Sequence, residues 1–229
     1  IAANRVVATG RSFNGSNFDA VTVNLNLSTF TAAGGGQTVS ANWGKSVTSE
    51  ALPDPDGNQK VWFVPAPSGG TYVVWAKANG GASYDILAQR LAKADGSNVW
   101  GSTLTLASGI DVSGQWSLSE SWAGADGAGG IALAYLNDAT QACYASRFNS
   151  SGALLWGPVQ YSAGATDGCN GGWMPILDGL GYGSYNQTSG PDALHFVQAI
   201  NMANGALVGA AVNTPNTSSS QSGWTGTIH

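Results

Sequence analysis

Four tryptophans, Trp43, Trp116, Trp173 and Trp224, each stand near the head of a similar stretch of chain, with gaps of 73, 57 and 51 residues. After each of the first three comes the same series: a strand-like run, a break, a second run, then a hairpin that closes in Gly. A repeat of this size holds about four short strands. Such a unit cannot bury both of its faces alone, so it must stack against its neighbours.

The clearest unit begins at Gly69-Gly70 and runs through Tyr72-Val73-Val74-Trp75. It turns at Asn79-Gly80-Gly81, runs on from Tyr84 to Leu91, turns at Asp95-Gly96 and reopens at Trp100-Gly101. The next unit repeats the order at Gly129-Gly130, Tyr135, Cys143 to Phe148, Ser151-Gly152 and Trp156-Gly157, with Arg147 in the place of Arg90. A weaker copy has Gln198 in the place of Gln89, a turn at Asn204-Gly205 and a last strand opening at Val208-Gly209. The weakest copy starts at Arg5, with an alternating run from Thr22 to Leu27. Asp-Gly and Asn-Gly between alternating runs mark hairpins, because those residues tolerate positive φ. Helical periodicity is nearly absent.

The phase of the repeat predicts closure. The chain opens in the second strand of a unit, at Asn4 to Thr9, and ends in a first strand, Trp224 to Ile228. Joined side by side, these two pieces make one complete unit and remove an open sheet edge. The expectation is an all-β, β-propeller-like domain over residues 1–229: four blades of four antiparallel strands, closed by pairing of the N- and C-terminal strands. Its repeats fall near 5–42, 43–115, 116–172 and 173–223, with 224–229 completing the first blade.

The run from Gly69 to Gly101 resembles the repeats of secreted bacterial β-propellers. These share Gly-Gly, a strand ending in Trp, an Asp-Ile-x-Ala-Gln-Arg strand, Asp-x-Gly and a Trp-Gly pair. The resemblance implies a fold, and no particular activity.

Composition points outside the cell. Charged residues are only 9% of 229, and Gly numbers 33. A surface wetted by hydroxyls and amides suits a secreted or cell-surface protein. The net charge of −5 disfavours a nucleic-acid partner, which needs a basic face. No apolar run reaches the ~18 residues of a membrane span. Cys143 and Cys169 are expected to form one disulfide across a separation of 26 residues, worth roughly 3 kcal/mol in the loop-entropy model.

The chain carries little catalytic signal. It has two His and thirteen acidic residues, with no Gly-x-Ser-x-Gly, His-Glu-x-x-His or P-loop. Asp19, Asp85 and Asp178 are candidates for the carboxylate pair of a glycoside hydrolase. Asp19 and Asp85 share a repeat position, which also suits hairpin capping. Asp54, Asp56 and Asn58 have the i, i+2, i+4 spacing of calcium loops, without the later acidic ligand. Their alternative is a polar turn before Val61. His195 and Met202 are soft-enough ligands for copper. Otherwise no cofactor is expected.

Aromatic side chains carry the binding hypothesis, since ring faces beside Asn, Gln and Asp suit sugars. Trp43, Trp116, Trp173 and Trp224 form one repeated set, and Trp75, Tyr135 and Tyr182 a second. Trp100 and Trp156 form a third. For any one set, packing between blades is the simpler reading. The sequence therefore supports three readings. The first is a non-enzymatic, lectin-like module for carbohydrate or a cell-surface glycan. The second is a self-associating structural subunit of a surface layer, sheath or filament. The third is a secreted glycoside hydrolase.

Overall fold

The computed structural model describes residues 5–13, 18–33, 36–46, 61–81, 83–111, 121–163, 169, 174–189 and 192–214, with side chains from residue 61 onward except at 68, 188, 189, 192 and 193. They form fifteen strands, and the one helical element is a single 3-10 turn at Pro67–Gly69. The first sheet is β1 (Arg5–Phe13), β2 (Phe18–Ala33) and β3 (Gly36–Ser46), in that order. The second is β4 (Val61–Pro65), β5 (Thr71–Ala78), β6 (Ser83–Leu91) and β7 (Leu104–Asp111). The third is β8 (Trp122–Ala125), β9 (Ile131–Asn137), β10 (Ala142–Phe148) and β11 (Leu154–Gln160). The fourth is β12 (Ile176–Leu177), β13 (Leu180–Ser189), β14 (Asp192–Asn201) and β15 (Leu207–Thr214). Every pairing is antiparallel between sequential neighbours.

The all-β expectation and its four-strand unit hold in the last three sheets. The first sheet has three strands among the described residues. The predicted border at residue 43 moves, because β3 continues to Ser46 and pairs with β2, with Trp43 opposite Asn24. Trp43 therefore lies on the last strand of the first sheet and does not open the second.

Stacking accounts for burial on both faces of a strand. β5 and β9 each hold six consecutive buried residues, Thr71 to Ala76 and Ile131 to Leu136. A half-solvated strand would alternate. On β9, Ile131, Leu133 and Tyr135 join Tyr72, Val74 and Trp100 of the second sheet in one core. Ala132, Ala134 and Leu136 point the other way and join Tyr185, Ile200 and Met202 of the fourth. The third sheet is thus packed between its neighbours, and β4 runs beside β8.

The Gly-Gly pairs have a steric cause. Gly69 and Gly129 have φ of 78° and 89°, which side chains disfavour. A Cβ on Gly70 would meet the Leu91 carbonyl oxygen at 2.5 Å, and one on Gly130 the Phe148 carbonyl oxygen at 2.0 Å. The strand must cross these carbonyls without a side chain. The predicted disulfide is present: Cys143 and Cys169 are bonded, with a Cα–Cα distance of 5.8 Å.

Candidate functional site

Register decides which aromatic residues are equivalent. Thr71, Ile131 and Gly181 pair with Leu91, Phe148 and Ile200, each one residue before the amide of Ala92, Asn149 or Asn201 that closes an equivalent turn. Counting four residues on from each gives Trp75, Tyr135 and Tyr185. All three are buried, at 1%, 7% and 0% exposure. The grouping of Tyr182 with Trp75 and Tyr135 is therefore corrected. Tyr182 pairs with Ala199, stands in the position of Tyr72 and is half-buried. The sequence misled because the fourth sheet lacks the Gly-Gly pair, with Leu180 in the second glycine's place. Trp75 and Tyr135, sealed into the core, present no ring face to a ligand.

The first-strand tryptophans also change. Trp62 pairs with Val74, one residue before Trp75, and Trp122 pairs with Ala134, one residue before Tyr135. Trp62 and Trp122 are thus the equivalent pair, in place of Trp43. Trp116, Trp173 and Trp224 lie outside the described residues. In sequence, Trp173 precedes Ile176 by three residues, as Trp62 precedes Pro65 and Trp122 precedes Ala125. The series Trp62, Trp122, Trp173 and Trp224 has gaps of 60, 51 and 51, more even than the series beginning at Trp43. Both described members are half-buried on adjacent first strands. Trp62 packs at the edge of the core between second and third sheets, and Trp122 at the edge of the core between third and fourth. The Trp122 ring lies over Gly124, where a Cβ would come within 2.0 Å of it.

The third aromatic set is a joint between sheets. Trp100 Nε1 donates to the Ser150 carbonyl at 3.4 Å, and Arg90 Nη1 donates to the same oxygen at 3.1 Å. One sheet on, Trp156 Nε1 donates to the Met202 carbonyl at 2.8 Å, and Arg147 Nη1 donates to it too. Ser150 and Met202 each lie two residues past the paired Phe148 and Ile200. An Arg–Trp pair on each sheet thus clasps a turn carbonyl of the next. The fourth sheet has Ala199 and Val208 at these positions and carries neither donor.

Two of the carboxylates, Asp85 and Asp126, bond backbone amides. Asp85 Oδ1 accepts from the Gly109 amide at 3.0 Å. Asp178 has φ of 50° and is followed by Gly179 at 78°, the signature of a tight hairpin turn. Asp19 lies on β2 opposite Ser12. Asp126 is 4% exposed, and its Oδ1 accepts from the Ala128 and Gly130 amides at 2.8 and 2.7 Å. It escaped the sequence reading because its counterpart in the second sheet is Ala66. The two residues make the same turn hydrogen bond, to Gly130 and Gly70.

No group of three or more His, Cys, Asp or Glu is arranged for a metal among the described residues. His195 stands opposite Asn186 in mid-strand. Met202 lies just past the end of the same strand, about 23 Å along it at the usual rise per residue. The two cannot share one copper ion. Asp54, Asp56 and Asn58 lie outside the described residues.

Comparison with models of known protein families, with characterised proteins and with solved structures finds no match.

Proposed function

We propose that this chain is a secreted, non-enzymatic binding module of β-propeller type, with carbohydrate as its ligand and the first-strand tryptophans as its contact residues. One observation carries the reading: Trp62 and Trp122 are only partly buried at equivalent positions, whereas Trp75, Tyr135, Tyr185, Trp100 and Trp156 are all buried. A partly exposed indole offers an apolar ring surface to a sugar at small entropic cost. Equivalent weak sites on adjacent sheets gain by avidity. The formed disulfide and the low charge agree with an oxidising, extracellular setting. The test is a glycan array probed with the intact chain and with Trp62→Phe plus Trp122→Phe. A ligand bound by the wild type and lost in the double variant, at unchanged melting temperature, supports the module. An array on which the folded chain binds nothing sinks it.

The four-blade closure belongs to the same proposal. The first sheet has three described strands, and the one without a counterpart is the first strand that the other sheets provide in β4, β8 and β12. Trp224 follows the end of β15 by ten residues, close to the eleven between the end of β7 and Trp122. The segment from Trp224 to Ile228 then pairs beside β1. Truncation after Gly223 is expected to lower the melting temperature clearly; an unchanged melt refutes closure by this segment.

A further inference from the structure

In an Asn-Gly pair the backbone nitrogen after the asparagine is the least shielded, since glycine brings no side chain. Two such pairs lie in hairpin turns among the described residues, Asn79-Gly80 between β5 and β6 and Asn204-Gly205 between β14 and β15. Their surroundings are opposite. Asn204 Oδ1 accepts from the Ala206 amide at 3.0 Å, and the Gly205 amide donates to the Asn201 carbonyl at 2.8 Å. Gly205 is buried, and a Cβ on it would meet the Trp156 ring at 2.9 Å. At Asn79 these restraints are missing. Asn79, Gly80 and Gly81 are exposed, and nothing lies within 4 Å of a Cβ placed on either glycine. The Asn79 amide donates to the Ser83 carbonyl at 2.9 Å, but the Asn79 side chain and the Gly80 amide make no hydrogen bond among the described residues. The matching hairpin of the third sheet is held. Asn137 Oδ1 accepts from the Ala139 amide at 3.1 Å, and the next amide, of Asp138, donates to the Asp111 carbonyl at 3.0 Å.

We infer that Asn79 is a site of spontaneous deamidation, and that the fold confines the reaction to it among these three turns. The Gly80 nitrogen attacks Asn79 Cγ and gives up its proton to solvent. The new N–Cγ bond forms, the Cγ–Nδ2 bond breaks, and ammonia leaves behind a cyclic imide. Water then opens the imide at either carbonyl, leaving aspartate or isoaspartate at that position. Water is the one co-reactant, and nothing is oxidised or reduced. The new carboxyl is ionised at neutral pH and adds one negative charge to a chain of net −5. The same attack at Asn204 first requires release of the bonds to Ala206 and Asn201, and at Asn137 of those to Ala139 and Asp111. The inference is independent of ligand binding.

The test is ageing of the intact, folded chain in mildly alkaline buffer, beside a sample aged in concentrated urea. Peptide mapping by mass spectrometry, with isoaspartate detection, follows each turn. Mapping also separates them from the Asn-Gly pairs at Asn14 and Asn170, which lie outside the described residues. In the folded chain Asn79 should convert at least about tenfold faster than Asn204, since a held site reacts only through local opening. In urea the two rates should come within about twofold of each other, because only the shared Asn-Gly sequence then acts. An Asn79 that keeps its amide in the folded chain, or equal folded rates at Asn79 and Asn204, would overturn the inference. A preference for Asn79 that persists in urea would overturn the assignment of selectivity to the fold.

Discussion

Arg147 Nε donates to Asp126 Oδ2 at 2.8 Å, with the carboxylate 1% exposed. This pair anchors the guanidinium that reaches across to Met202. In the second sheet Arg90 holds the equivalent position opposite Ala66, and its buried Nε has no hydrogen-bond partner among the described residues. The same joint therefore occurs once complete and once lacking a carboxylate.

Removing the carboxylate should cost more than its own hydrogen bonds, because a buried guanidinium is left behind. Asp126→Ala is expected to lower stability by about 3–5 kcal/mol. Ala66→Asp supplies the acceptor that Arg90 lacks and should raise stability by about 1 kcal/mol, the gain from the charged hydrogen bond less the cost of burying the carboxylate. Chemical denaturation with both variants checks the pair, and a stabilised Asp126→Ala would refute the joint.

Two buried indoles should respond differently to the same substitution. Trp156 Nε1 donates to the Met202 carbonyl, whereas Trp75 Nε1 is buried with no partner among the described residues. Phenylalanine at either site loses similar volume. At 156 it also removes one of the two hydrogen bonds to the Met202 carbonyl, which keeps its bond from Arg147, and at 75 it removes an unsatisfied donor. Trp156→Phe is expected to be the more destabilising by about 0.5–1.5 kcal/mol, read from matched urea titrations.

The close backbone crossing at Gly130 is sensitive to a single methyl group. Gly130→Ala places a Cβ against the Phe148 carbonyl and should cost about 2 kcal/mol or more. Gly101→Ala is the control, since nothing lies within 4 Å of its Cβ. It should stay within about 0.5 kcal/mol of wild type. Equal losses at the two sites would count against the steric account of the Gly-Gly pair.

Alkaline pH should weaken the fold through Tyr135. Burial, and secondarily the neighbouring Tyr144, push its pKa up to about 12 from an ordinary value of 10.0. The folded state then holds a proton that the unfolded state releases first. The contribution is complete below the unfolded pKa and is lost as pH rises from 10 towards 12. Tyr72 and Tyr185 are raised in the same direction by burial. Melting temperature should fall across this window, and less steeply in Tyr135→Phe. A melt that is flat from pH 9 to 12 would contradict it.

Much of the fold was legible in the chain. The turns predicted at Asp95-Gly96, Ser151-Gly152 and Asn204-Gly205 all have glycines at positive φ, 71°, 86° and 76°. These are local events, governed by one or two residues. The Gln of the third strand was also readable as a marker: Gln89 Nε2 donates to the Trp100 carbonyl and Gln198 Nε2 to the Val208 carbonyl. The tryptophan series shifts at its first two members, because Trp43 and Trp62 both precede the Gly69 strand and Trp116 and Trp122 both precede the Gly129 strand. Only pairing separates the last strand of one sheet from the first of the next.

The sequence by itself determined the strand-and-turn order, the repeat and the disulfide partners, because each depends on neighbours in the chain or on a pair of cysteines. Tertiary structure alone decided which aromatic rings are equivalent and what they do. Equivalence follows register, and register shifts with connection length: Pro65 and Thr71 span a longer turn than Ile176 and Gly181. The joint between sheets was invisible for a second reason. Its acceptors are the backbone carbonyls of Ser150 and Met202, and a carbonyl looks the same in every residue of the sequence.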